Sequence, residues 1–294
     1  MKYEIQQTND LNRLNFDTAI SIPIFYGNEP TKTDKYVGVY NVDKEKLTQV
    51  ATDRYAIIQH NEVMGAVVDV LTKNNLSVSG RVDDFGDKIR ADLIFMNQTK
   101  PITDDASGVK IGMRVLNSYN KQTSFRLEMF GFRTVCQNGM SLGNVMNNIK
   151  EVTFHTGKLQ TLDNIRLTTE RFIRRVISSS DELQKLINES IYDNIYYKDA
   201  MFILEKLLKQ KKHRKEICNR FDISIVEVYD KITKHREYKY YCPENNINRW
   251  DLYNALTEYA THSDISDNVE YNIQNVAQKV LKNNFEKLLV VANY

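Results

Sequence analysis

The hydrophobic positions follow two regimes along the chain. Up to about residue 155 apolar residues often alternate with polar ones. KIRADLIFM (88–96), VKIGMRVL (109–116) and SFRLEMFGFRTV (124–135) carry the two-residue period of half-buried strands. VGVY (37–40) and RYAIIQH (54–60) predict shorter strands. RVDDFGDK (81–88) has the Asp and Gly content of a tight link, and NSYNKQT (117–123) that of a hairpin turn. One segment breaks the alternation. NEVMGAVVDVLTKNN (61–75) puts Val63, Val67, Val70 and Leu71 at helical spacing, which predicts a helix packed on the sheet.

Beyond residue 160 the period becomes three and four. The segments 167–179, 181–190, 199–217, 223–235, 248–261 and 268–283 each predict a helix, and Thr169 and Ser180 before acidic residues read as helix starts. The expected fold class is α+β: an N-terminal antiparallel β-sheet with a packed helix, then a C-terminal helical region. The expected domains are 1–158, β-rich, and 159–294, mainly α-helical. No flexible linker separates them, so the helical region is expected to pack on the first.

Composition narrows the class. Of 294 residues, 41% are hydrophobic and 27% charged, the balance of a soluble globular protein. No apolar run approaches the roughly 18 residues of a membrane helix. MKYEIQQTND lacks the apolar stretch of a secretory signal. Cys136, Cys218 and Cys242 are widely spaced and form no CxxC pair, which argues against a disulfide framework or a zinc ribbon. The expectation is a cytoplasmic protein (host cytoplasm if viral) with no membrane partner. The net charge of +2 demands no polyanion, so any nucleic-acid contact must be a local patch.

Alternation supplies such a patch. Val109, Ile111, Met113 and Val115 share one strand face, opposite Lys110 and Arg114. Phe125, Leu127 and Met129 oppose Arg126 and Glu128. Ile89, Ala91 and Leu93 oppose Lys88 and Arg90. Paired antiparallel, these strands would gather Lys88, Arg90, Lys110, Arg114 and Arg126 on one face, diluted by Asp92 and Glu128. Tyr119 and Phe130 would supply rings nearby. Such a face suits a phosphate backbone with stacked bases. A solvated sheet face is the ordinary alternative. KLLKQKKHRK (206–215) and Arg171, Arg174 and Arg175 in RFIRRV are further cationic stretches, equally compatible with solvated helix surface.

Catalytic patterns are sparse. Cys136 as a nucleophile would need a base, and His155 is the nearest histidine in sequence. A buried structural thiol is the commoner role. Cys136 and His155 alone are too few for a metal site. No GxxxxGK[ST] loop is present, and the Asp pairs at 83–84 and 104–105 read as turn residues. No catalytic residue, metal or cofactor is assigned. NRWDLYNALTEYATH (248–262) places Trp250, Tyr253, Leu256 and Thr257 on one helix side, a core or oligomer face.

Two stretches resemble a known family. FRTVCQNGM followed by FHTG, and RWDLYNALTEYATH, are similar to the phage/plasmid-like proteins catalogued as a domain of unknown function. On the family pattern Arg133, Cys136, Asn138, Gly139 and His155 form the motif. Its preceding hairpin is matched by Asn117, Ser118 and Tyr119, but Asn120-Lys121 stands where the family tends to have Asp-Gly. The resemblance spans roughly residues 35 to 265 and implies a virus or mobile element. A more distant likeness is to single-strand annealing recombinases. Together these imply a single-stranded DNA-binding, strand-annealing protein that acts as a homo-oligomer without ATP. Arg90, Lys110, Arg114, Arg126 and Arg133 would meet phosphates, and Tyr119 would stack on a base. The rival expectations are a Cys136/His155-dependent host-interference enzyme and a protein that binds a host factor.

Overall fold

The computed structural model describes residues 1–28, 30–102, 105–133, 138–141, 149–153, 155, 162–208, 210–219, 224–229, 236–241 and 246–282. The elements in chain order are β1 (Lys2–Ile5), a 3-10 turn (Thr8–Arg13), β2 (Ala19–Tyr26), β3 (Thr31–Asn41), β4 (Lys46–Thr52) and α1 (His60–Lys73). Then come β5 (Val78–Asp84), β6 (Lys88–Ile102), β7 (Asp105–Ser118), β8 (Phe125–Arg133), β9 (Asn138–Ser141) and β10 (Lys150–Thr153). They are followed by α2 (Leu162–Ser178), α3 (Ser180–Tyr192), β11 (Asn194–Tyr196), α4 (Tyr197–Leu207) and α5 (Lys211–Asn219). The last are β12 (Ser224–Tyr229), β13 (Arg236–Tyr241), β14 (Asn246–Asn248), α6 (Arg249–His262) and α7 (Asp267–Leu281). The fold is α+β, with an N-terminal antiparallel sheet, a helix beside it and helices toward the C-terminus.

The chain forms two units. One comprises residues 1–100, 109–132 and 147–180, and the other 101–108, 133–146 and 181–294. In the first unit the main sheet runs β1-β5-β6-β7-β8-β10. The odd positions of β6, β7 and β8 are its apolar face. Leu93, Ile111, Met113 and Leu127 are fully buried there. α1 adds Val63, Val67 and Leu71, all fully buried, and α2, which lies along α1, adds Phe172 and Val176. The predicted spacing of Val63, Val67, Val70 and Leu71 is therefore a true core stripe.

A second sheet of the same unit, β2-β3-β4, was only partly foreseen, since VGVY is the centre of β3. Its core face holds Ala19, Val39 and Ala51, packed with Tyr119. RYAIIQH is not a strand. Ala56–Gln59 lead into α1, where Gln59 closes a capping box with Glu62. RVDDFGDK is mostly strand, because Arg81–Asp84 ends β5 and Phe85–Asp87 makes the turn.

The second unit shows where helical spacing misleads. ISIVEVYDKITKH (223–235) predicts a helix, yet Ser224–Tyr229 is β12, paired antiparallel with β13 from Ser224↔Tyr241 to Tyr229↔Arg236. Its Ile225, Val226 and Val228 are β-branched, which favours extended backbone. The single helix predicted over 199–217 is two, α4 and α5, because Leu208 is extended (φ −113, ψ 93) and buried. Thr169 is internal to α2, where its hydroxyl donates to the Ile165 carbonyl at 2.8 Å. α6 carries Trp250 stacked on Tyr253 at 5.4 Å, with Leu256 and Thr257 fully buried, so this stripe is core. Arg249 is buried and pairs with Asp193 at 3.1 Å. Among the described residues no helix is long and apolar enough to cross a membrane.

Leu71→Ala is expected to cost about 2–5 kcal/mol in urea unfolding, since a core methyl cluster is lost and the space is not refilled. Leu167→Ala, on the exposed side of α2 at 52%, is expected to stay within about 0.5 kcal/mol.

Candidate nucleic-acid interface

Strand parity decides which side chains share the other face of the main sheet. β5 pairs β6 with Arg81 opposite Asp92 and Asp83 opposite Arg90. Arg114 of β7 reaches Asp92 of β6, and its guanidinium lies over the Phe130 ring of β8 at 5.0 Å. Glu128 follows the parity of Phe130 and pairs with Arg126 at 3.4 Å. Arg81, Lys88, Arg90, Lys110, Arg114 and Arg126 therefore share one face with Asp83, Asp92 and Glu128. Among the described residues of β5–β8, six cations stand against three carboxylates, and register adds Lys2 and Glu4 of β1 and Lys150 of β10 at the borders of this face.

The carboxylates fix the guanidiniums. Asp92 accepts from Arg114 Nε at 2.5 Å and Nη2 at 2.9 Å, and from Arg90 Nε at 3.2 Å. Burial alone would raise the Asp92 pKa, but Arg114 first and Arg90 second outweigh it and hold the carboxyl well below the usual range. Arg81 donates to Asp83 at 2.6 Å. One carboxylate thus serves two guanidiniums. Lys110 is half-buried and has no acidic partner among the described residues.

The predicted site residues separate here. Arg90, Lys110 and Arg126 are gathered on the face and partly accessible. Arg114 is on it but 7% exposed, so it is a structural cation held by Asp92. Tyr119 is fully buried and cannot stack on a base. Phe130 is 2% exposed beneath Arg114. Arg133 ends β8 at the opposite parity to Arg126, and its side chain is outside the described residues. RFIRRV is taken up in ion pairs, Arg174 with Glu170 and Arg175 with Glu151. Lys212 and Lys215 of the 206–215 stretch are exposed on α5, while His213 is buried and bonded to Tyr259 at 2.7 Å.

The accessible ring is Phe85, which sequence reasoning passed over. It is 53% exposed in the β5–β6 turn, and Lys88 Nζ sits 4.9 Å from its centroid. The signal was an aromatic residue in an otherwise polar turn. The turn is held from three sides. Gly86 N donates to Asp84 at 2.7 Å, Lys44 donates to the Phe85 carbonyl at 3.2 Å, and His60 Nε2 donates to the Gly86 carbonyl at 3.2 Å.

That last bond comes from a buried polar cluster. His60 stacks on Tyr119 at 4.0 Å and accepts from Asn117 at Nδ1, 3.0 Å away. The Tyr119 hydroxyl donates to the Asp17 carbonyl at 2.9 Å and accepts from His60 N at 2.9 Å. His155 stacks on Tyr55 at 5.4 Å and meets its hydroxyl at 3.1 Å. The resemblance motif residues Asn117, Ser118, Tyr119 and His155 are thus architectural neighbours. Burial lowers the His60 pKa to about 3 and that of His155 to about 4, and it raises Tyr55 to about 12. Cys136 and Cys242 lie outside the described residues, and Asn138-Gly139 of the motif begins β9. Cys218 is buried with its pKa raised by burial to about 12, the state of an inert thiol. Among the described residues no three His, Cys, Asp or Glu side chains group as metal ligands.

Residues 48–283 match the family model described as Domain of unknown function (DUF932). No curated protein matches the chain, and neither does any solved structure.

Asp92→Asn would leave Arg114 and Arg90 sharing no anion, and it is expected to destabilise by about 3–5 kcal/mol in urea unfolding. The two imidazoles set a pH dependence. Their folded pKa values lie below the roughly 6.5 of the unfolded chain, so the unfolded state binds more protons as pH falls. Their contribution is intact above about pH 6.5 and is lost below it, at about 1.4 kcal/mol per pH unit for each histidine. Urea melts at successive pH values should show this, and His155→Phe should reduce the slope between about pH 6 and 5.

Proposed function

The chain belongs to the DUF932 family, and on that footing we propose that it binds single-stranded nucleic acid on the charged face of β5–β8 and anneals complementary strands without ATP. The observation that carries the reading is the β5–β8 face, on which, among the described residues, six cations outnumber three carboxylates beside an exposed phenylalanine. Phosphates would lie along Arg81, Lys88, Arg90, Lys110 and Arg126. Pairing with Asp83, Asp92 and Glu128 pre-orders the arginines, so less rotamer freedom is lost on binding. A base would stack on Phe85, with Lys88 adding charge over the ring. A setting in the cytoplasm of a host, in a virus or mobile element, comes from the resemblance and belongs to the same proposal.

The excess of three cations among the described residues of β5–β8 sets the scale of the expected salt response. Fluorescence anisotropy with an oligonucleotide of about 16 nucleotides should give a log–log salt slope of roughly −2. Lys110→Ala should reduce the magnitude of that slope by about 0.7. Phe85→Ala should weaken binding by about 1–3 kcal/mol with the slope unchanged. Tyr119→Phe should leave affinity alone. No binding at low salt, or wild-type affinity in both the Lys110 and Phe85 variants, would sink the reading. Annealing of complementary strands, followed by fluorescence transfer, tests the second half of it.

A further inference from the structure

The β2-β3-β4 sheet buries only one of its faces. Ala19, Val39 and Ala51 point into the core with Tyr119. The opposite face is also apolar, and it meets solvent. Ile20 is 44% exposed, Tyr26 61%, Tyr36 49%, Leu47 50% and Val50 47%. Register puts them together: Ile20 and Leu47 both pair with Tyr40, and Val50 pairs with Gly38. Gly38 marks the centre. A Cβ there would meet Ile22 and Leu47 side chains at 2.8 Å, so these chains close over the glycine and level the surface. Most of this sheet precedes the family-matched region, which begins at residue 48.

We propose that this face is the contact between two copies of the chain, packed sheet on sheet about a two-fold axis. A large apolar side chain presents roughly 150–250 Å², so five that are half exposed present on the order of 450 Å². Two copies then cover about 900 Å², and the partly buried Ile22 and Ile24 bring the total to the lower bound of about 1,000 Å² for a specific interface. The face has no cation at its centre, unlike a nucleic-acid platform. Its rim, with Asp34 and Lys35 exposed, carries both signs, the polar border usual around an apolar contact. Strand addition at the edges is discouraged. Pro23 of β2 lacks a donor, the β2–β3 register shifts there, and Lys46 opens β4. Stacked faces about 10 Å apart remain, and a two-fold axis lays the patch on itself.

Sedimentation equilibrium of the full chain without nucleic acid, from about 1 to 100 µM, tests this separately from the nucleic-acid reading. The mass should rise from 34.3 kDa toward twice that value. A Leu47→Glu, Val50→Glu double variant should weaken dimerisation at least about tenfold while keeping its circular dichroism spectrum and cooperative melt. A monomer at every concentration overturns the proposal, and so does a folded variant that dimerises like the wild type. If the variant does not fold, hydroxyl-radical footprinting of the wild type decides. Tyr26 and Tyr36 should lose reactivity as concentration rises, and constant reactivity overturns it.

Discussion

The buried Tyr119 hydroxyl is the joint on which the first unit turns. It accepts from the first amide of α1 and donates to the Asp17 carbonyl just before β2. Its ring stacks on His60, and its own carbonyl accepts from Gln49 of β4. Four segments far apart in sequence therefore meet at one residue at the end of β7. A polar group at this depth is tolerable only because every bond it can make is made. The neutral imidazoles around it follow from the same burial, which at His60 outweighs the neighbouring Asp17 and Asp87 carboxylates.

How much of this was legible follows from what kind of interaction sets each element. β6, β7, β8 and α1 could be read because one face of each is uniformly buried, and burial imprints its period on the residues. β1, β2 and β4 could not. β2 shows apolar residues on both faces, so Ala19 to Tyr26 lacks clean alternation. β12 failed for the opposite reason: Ile225, Val226 and Val228 satisfy a helical template and a strand template together. At the candidate interface parity alone correctly grouped Arg90, Lys110, Arg114 and Arg126. What sequence could not say is which of them is spent on a carboxylate. Asp92 and Arg114 are 22 residues apart, and their bidentate bond depends on a register that no local pattern encodes. Tyr119 misled because aromatic residues in turns often face solvent, and this one is drawn inward by three partners.

Carboxylates hold the guanidiniums of the charged sheet face in place. A row of unpaired guanidiniums would repel itself. Asp92 relieves this by holding Arg90 and Arg114 with one carboxylate. Lys110 has no acidic neighbour among the described residues.

Gly86 gives the buried cluster a consequence for how such a chain can vary. Its φ of +83 strains any side chain at that position, and a Cβ there would displace the Lys44 ammonium. Its carbonyl in turn needs the N–H of an imidazole held flat between Tyr119 and Asn117. Positions 60, 86, 117 and 119 are therefore coupled, and a lineage could alter one only by rebuilding the others. The Phe85 side chain next door is 53% exposed and lies against Lys88 instead. Drift at position 85 would retune the surface while leaving the scaffold beneath it untouched.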